Sequence, residues 1–141
     1  MSLIEFFYED VRIILNDPEQ TKEWIKRIIE AEGKQISHIN YIFCPDEYLH
    51  TLNVKHLNHD FYTDIITFDL SDETRTVEAD IFISIDRVEE NSQSLKNHFN
   101  HELHRVMIHG VMHLLGFTDK SAEDKQLMRE KEEYCLSFYR F

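Results

Sequence analysis

Basic residues are scarce in this chain: 15 lysines and arginines stand against 27 acidic residues, for a formal net charge of -12. A surface so acidic offers phosphate no whole-molecule attraction, which excludes strong non-specific binding to nucleic acid but not a local cleft that recognises it. Cysteine is almost absent. Cys44 and Cys135 lie far apart and form no C-x-x-C pattern, so they read as reduced, partly buried thiols rather than a disulfide frame or metal knot. No apolar run approaches the roughly 20 residues that cross a bilayer, and no basic segment leads into an apolar one at the start. The expectation is a cytoplasmic protein without a membrane partner. Repeats, linkers and low-complexity tracts are missing too. What is present is 141 residues, of which 42% are hydrophobic and 12% aromatic, enough for one domain with a packed core.

Along the chain, "LIEFFYEDVRIIL" (3–15) is β-branched and aromatic and predicts one or two strands. Asp17, Pro18 and Gln20 make a helix start with a capping pattern, Trp24, Ile25, Ile28 and Ile29 recur at helical spacing, and Gly33 ends the element. "HINYIFC" (38–44) predicts a strand and "PDEYLHTLNVKHL" (45–57) a second helix. "DIITFDL" (64–70) and "EADIFISI" (78–85) predict neighbouring strands joined as a hairpin. A helical stretch from Asp86 to Gly116 follows, with a candidate break near "NHFNHE", and "SAED" (121–124) opens a charged last helix. The order implies a single α/β (α+β) domain: a small mixed four-stranded sheet packed with helices around a buried central helix.

That central helix carries the chemistry. At 100° per residue, Leu103, Met107, Ile108, Val111, Leu114 and Leu115 cover most of its circumference, and His109 and His113 share the remaining strip one turn apart. Gly116 can end the helix in a left-handed turn and bring Asp119 back toward both imidazoles. The spacing His-x3-His-x2-Gly-x2-Asp suits three ligands and an open position on a metal. It also suits two core histidines hydrogen-bonded to a carboxylate with no metal at all. His98, His101 and His104 step around the helix away from His109 and read as solvated surface.

The pattern is close to that of zinc peptidases but departs where they keep a glutamate base; Gly110 stands there and accepts no proton. A glycine inside a helix costs about 1 kcal/mol relative to alanine, so something must approach the backbone at Gly110, whether another element or a substrate. Phosphodiester cleavage suits the motif better than peptide hydrolysis, since a substrate phosphate can share the proton traffic. A closed structural site would need a fourth ligand, and the motif contains none.

"HGVMHLLGFTD" (109–119) resembles the signature of the YbeY family, bacterial rRNA maturation factors, whose usual form is His-Gly-x-x-His-Leu-x-Gly-Tyr-Asp-His. "LNVKHLNHDFYTDIITFDL" (52–70) and "EADIFIS" (78–84) are similar to two further segments of that family, so the resemblance runs over roughly residues 50 to 120. It implies a metal-dependent, single-strand-specific endoribonuclease acting in 16S rRNA 3′-end maturation and small-subunit ribosome quality control. The small ribosomal subunit, a ribosomal protein and a GTPase are the implied partners. It implies one zinc per chain on His109, His113 and Asp119, the last replacing the usual histidine; two histidines and a carboxylate also accept iron, manganese or nickel. The family's usual arginine aligns with Leu57, leaving the catalytic cation unassigned, with Lys55, His56, His59 and Arg105 as neighbouring sources of charge. Asp80, Arg105 and Thr63 are candidate supporting or substrate-contacting residues, and Asp64 reads more simply as a strand-end residue. A non-catalytic ribosome-assembly factor with a structural metal and, behind it, a metallopeptidase are the alternatives.

Overall fold

The computed structural model describes residues 3–13 and 15–141. Strand β1 (Ile4–Tyr8) is followed by helix α1 (Pro18–Ala31), strand β2 (Gln35–Cys44), helix α2 (Asp46–Leu57), strands β3 (Ile65–Asp69) and β4 (Thr76–Ser84), and helices α3 (Ile85–Leu95), α4 (Phe99–Leu114) and α5 (Ala122–Leu136). The four strands form one mixed sheet in the order β1-β2-β4-β3. β1 and β4 run parallel to β2, and β3 returns antiparallel to β4, the hairpin expected from the sequence.

Alternation along β2 and β4 decides what each face covers. Ile39, Tyr41 and Phe43 on β2, with Val77, Ala79, Ile81 and Ile83 on β4, are buried in the main core beside residues of α1, α3, α4 and α5. The opposite face carries a smaller cluster in which Leu49 and Leu52 of α2 meet Ile66, Phe68 and Phe82. The architecture is therefore the expected mixed sheet, with α4 as its most buried helix.

The structure decides two open expectations and corrects a third. Of the one or two strands expected in residues 3–15, the described residues form one, Ile4–Tyr8, and the chain after Tyr8 is irregular; Ile14 of that stretch lies outside the described residues. The helical stretch expected from Asp86 to Gly116 breaks at the start of "NHFNHE" into α3 and α4, because Lys96 adopts φ 57° and the Asn97 N–H turns back to the Ser92 carbonyl at 2.9 Å. The three histidines are not uniformly solvated. His98 is exposed and His101 half-buried against Phe141, but His104 is wholly buried. Its Nδ1 donates to the Asn100 carbonyl at 2.7 Å, its Nε2 meets the Thr21 hydroxyl at 3.0 Å, and its ring packs against Trp24 and Tyr139.

Gly110 finds its reason in the sheet. A Cβ there would lie 3.0 Å from Ile65 Cδ1, 3.1 Å from Thr67 Oγ1 and 3.5 Å from Ile81 Cδ1. The missing side chain lets α4 descend onto β3 and β4, and it is another element, not a substrate, that approaches.

Two predictions follow from this packing. Gly110→Glu, which would restore the peptidase pattern, should lower stability by more than about 3 kcal/mol in a urea melt, because it forces volume and charge into a filled contact. An unchanged midpoint would contradict the packing. Burial holds the His104 imidazole down at about 4, against the usual 6.5. Between these values the unfolded chain binds the extra proton and the folded chain does not. Its contribution is therefore intact above about pH 6.5 and lost as the pH falls toward 4, on the order of 3 kcal/mol in all. Urea midpoints at pH 7 and pH 5 should accordingly converge in His104→Gln relative to the unmodified protein.

Candidate metal centre

Helix α4 presents Glu102, Arg105, His109 and His113 along one strip, the i, i+3, i+7, i+11 series that stays on one side of a helix. Beyond its end, Gly116 takes φ 101° and its N–H reaches the His113 carbonyl, while the Phe117 N–H reaches that of Met112, both at 3.0 Å. This left-handed turn folds the chain back and delivers Asp119. His109 Nε2 and His113 Nε2 come to 3.0 Å, and Asp119 Oδ2 lies 3.5 Å from the first and 3.7 Å from the second. A tetrahedral zinc with bonds of about 2.0–2.1 Å separates its ligand atoms by about 3.3 Å. The three edges bracket that value, so the residues fit a small transition-metal ion, and His109, His113 and Asp119 form a group that could hold one. His113 and Asp119 keep 34% and 44% of their side chains exposed, leaving the group open on its outer side.

The far side is closed by charge. His109 Nδ1 donates to Glu132 Oε2 at 2.5 Å. With the Nδ1 proton committed to that carboxylate, the Nε2 lone pair is turned toward His113 and Asp119, the tautomer a metal ligand needs. Glu132 Oε1 accepts a second bond at 3.1 Å from Arg105 Nη1, and the same guanidinium spans both oxygens of Glu102 at 2.9 and 2.5 Å. Glu102 is wholly buried and Glu132 nearly so. Burial opposes protonation of His109, yet the bond and charge of Glu132, with the charges of Asp64 and Asp119, together offset it and raise its pKa. Burial and then the charge of His109 lower that of His113. One imidazole is thus held by a carboxylate, while protonation of the other is disfavoured.

Of the other sequence candidates, the structure gathers some and disperses the rest. Arg105 lies beneath His109, its guanidinium spent on two glutamates. Asp64, read from sequence as a strand-end residue, is brought close enough to feel the charges of Arg105 and His109; burial dominates and raises its pKa, and Asn91 Nδ2 donates to it at 3.3 Å. Asp80 is elsewhere. It pairs with Asn40 across β2 and β4 (Nδ2 to Oδ1, 3.0 Å), on the sheet face turned away from Ala79, Ile81 and α4. Thr63 donates to the Ile65 carbonyl at 3.4 Å, and Leu57 ends α2 with 41% of its surface exposed.

Sequence reasoning missed Glu102 and Glu132. Glu132 hides in the charged run "REKEEY", but the buried positions of α5 are Met128, Glu132, Cys135 and Leu136, the i, i+4, i+7, i+8 stripe of an amphipathic helix. A glutamate inside an apolar stripe was the available signal.

These features define an α/β protein with an outward-facing site able to take a transition metal, backed by a buried carboxylate. The sequence profile of the family described as endoribonuclease YbeY matches residues 6–140. Endoribonuclease YbeY of Cytophaga hutchinsonii is 46% identical over 138 residues, 98% of this chain and 96% of the relative. That of Christiangramia forsetii is 46% identical over 136 residues, 96% and 94% of the two chains. The solution structure of a Thermotoga maritima protein superposes with a TM-score of 0.66 at 28% identity, over 95% of this chain and 87% of that one. The chain belongs to the endoribonuclease YbeY family, and with it to the enzymes that hydrolyse RNA.

Glu132→Gln keeps the shape but removes the charge that orients His109 and balances Arg105. Metal affinity, measured by competition with a chromogenic chelator, should fall about 10- to 100-fold. An unchanged affinity would show that the Glu132 charge does not orient His109.

Proposed function

We propose that residues 1–141 act as one metallo-endoribonuclease domain in the cytoplasm. It cleaves single-stranded RNA during 16S rRNA 3′-end maturation and small-subunit quality control, with one zinc ion per chain held by His109, His113 and Asp119. The observation that carries this reading is the near-equilateral triangle of Nε2, Nε2 and Oδ2 atoms on a chain of this family. Zinc is favoured by the edge lengths, which suit a tetrahedral ion; iron, manganese or nickel would accept the same donors.

A metal there supplies Lewis acidity toward a phosphoryl oxygen and lowers the pKa of water. The chain does the rest. His109 and His113 are fixed by a packed helix, so little reorganisation is needed when RNA arrives. Glu132 holds the Nδ1 proton of His109 in place and takes no proton from substrate. Asp64, its carboxyl pKa raised by burial and within reach of the charge of His109, is a further group able to carry a proton. Gly110 leaves no base where a peptidase needs one, and β3 fills the space such a side chain would occupy. The small ribosomal subunit, with a ribosomal protein or a GTPase, completes the set of partners this function calls for.

Leu57, at the position where the family usually carries arginine, favours the second reading of a ribosome-assembly factor that binds without cutting. The two readings separate in one experiment. His113→Ala should lose both its metal and its cleavage of single-stranded RNA, the latter at least about 100-fold, while duplex RNA stays intact with either protein. Cleavage that survives in the metal-free variant would end the proposed mechanism, and an unmodified protein that binds rRNA without cutting it would establish the assembly factor.

A further inference from the structure

The loop between α2 and β3 is built around a buried asparagine. Asn58 leaves α2 with φ 55°, and the N–H groups of Asn58 and His59 both reach the Asn53 carbonyl. Asn53, only 2% exposed, donates from Nδ2 to the Phe61 carbonyl at 2.8 Å. One side chain thus fixes the path of residues 58–61, and the loop is a shaped surface, not a slack connection.

On that frame the rings are displayed rather than packed away. Phe61 is 55% exposed, and its one ring partner among the described residues is His59, stacked at 5.2 Å and 20°. Next to it Tyr62 stacks on His50 at 4.3 Å and 20°, takes the Arg87 guanidinium over its ring at 5.0 Å, and donates its hydroxyl to Glu47 at 2.7 Å. Tyr62 is pinned from several directions while Phe61 presents most of its ring to solvent. Three residues later comes Asp64, close enough to feel the charge of His109, and Ile65 touches the space above Gly110. The loop bearing Phe61 therefore runs, four residues on, into a contact with the residue that follows His109.

We propose that Phe61, backed by His59, is a stacking platform for one unpaired base of the RNA a few nucleotides from the bond that is cut. This rests on the endoribonuclease reading and names how that same site takes its substrate. Continuity of the loop with the metal centre argues for RNA as the occupant. Charge then decides the mode of recognition: on a chain of net charge -12, with Leu57 offering no cation and Asp60 tied to His50 at 2.9 Å, phosphate attraction is weak and the base itself must be held. Stacking needs no positive charge and accepts any base. A paired base keeps its faces covered in its own helix, so the platform also favours single strands.

The test is steady-state cleavage by the metal-loaded protein of single-stranded RNA oligonucleotides, each carrying one abasic nucleotide at a different distance from the cut. In the unmodified protein, one abasic position should raise KM about 5-fold or more with little change in kcat. Phe61→Ala should raise KM for intact RNA by a similar factor, and the abasic penalty at that position should disappear. Phe61→Trp should restore both, while Phe7→Ala, an exposed ring on the opposite edge strand, should change neither. If KM is indifferent to Phe61, or if the abasic penalty is the same with and without the ring, the proposal is overturned and the face belongs to a protein partner. If the unmodified protein cuts no RNA, the endoribonuclease reading fails first, which is a different result.

Discussion

The carboxylate of Glu132 ties together two helices, a half-buried cation and a histidine. It reaches α4 from α5, accepts from Arg105 on one oxygen and from His109 on the other, and is almost fully removed from water. Ion pairs in such places rarely add net stability, because the cost of desolvating both partners absorbs most of the attraction. Their value here is geometric. Arg105 also spans Glu102, so the cation is shared by two carboxylates, and the remaining demand on Glu132 is met by the Nδ1 proton of His109. The tautomer and the direction of the Nε2 lone pair follow from that accounting of donors and acceptors.

The packing that holds α4 beneath this network is largely apolar. Helix α4 reaches the sheet because Gly110 has no side chain to hold it away from Ile65, Thr67 and Ile81. On either side of that contact Met107, Ile108 and Val111 are fully buried. A helix so packed cannot rotate to bring other residues to the surface, and the strip bearing His109 and His113 is held facing α5 and the returning Asp119 turn. The outer side of the triangle remains open, and the loop from Asn58 to Thr63 leads into β3, which packs against α4 at Gly110. A closed back and an open front are what a hydrolytic site requires.

The parts legible in the sequence were those written in local spacing. The i, i+4 histidines, the glycine stop and the returning aspartate all lie within eleven residues, so helical geometry brings them together without knowledge of the fold. The strands β3 and β4 were legible for the same reason. Glu102 and Glu132 were not, because their roles depend on how α4 lies against α5; only a charge inside an apolar stripe hinted at them. His104 was misplaced because helical spacing alone cannot say that Thr21, Trp24 and Tyr139 will close over it. Asp80 was drawn in by its motif, while strand alternation turns it to the opposite face of the sheet from the histidines.

The most direct test of the account is anomalous diffraction at the zinc edge from crystals of the zinc-loaded protein. One peak is expected, at about 2.1 Å from His109 Nε2, His113 Nε2 and an Asp119 oxygen, with Glu132 still on His109 Nδ1 and at least one further position open to solvent. A peak bonded through His109 Nδ1, an ion with Asp119 outside its shell, or no ordered ion at all would contradict it.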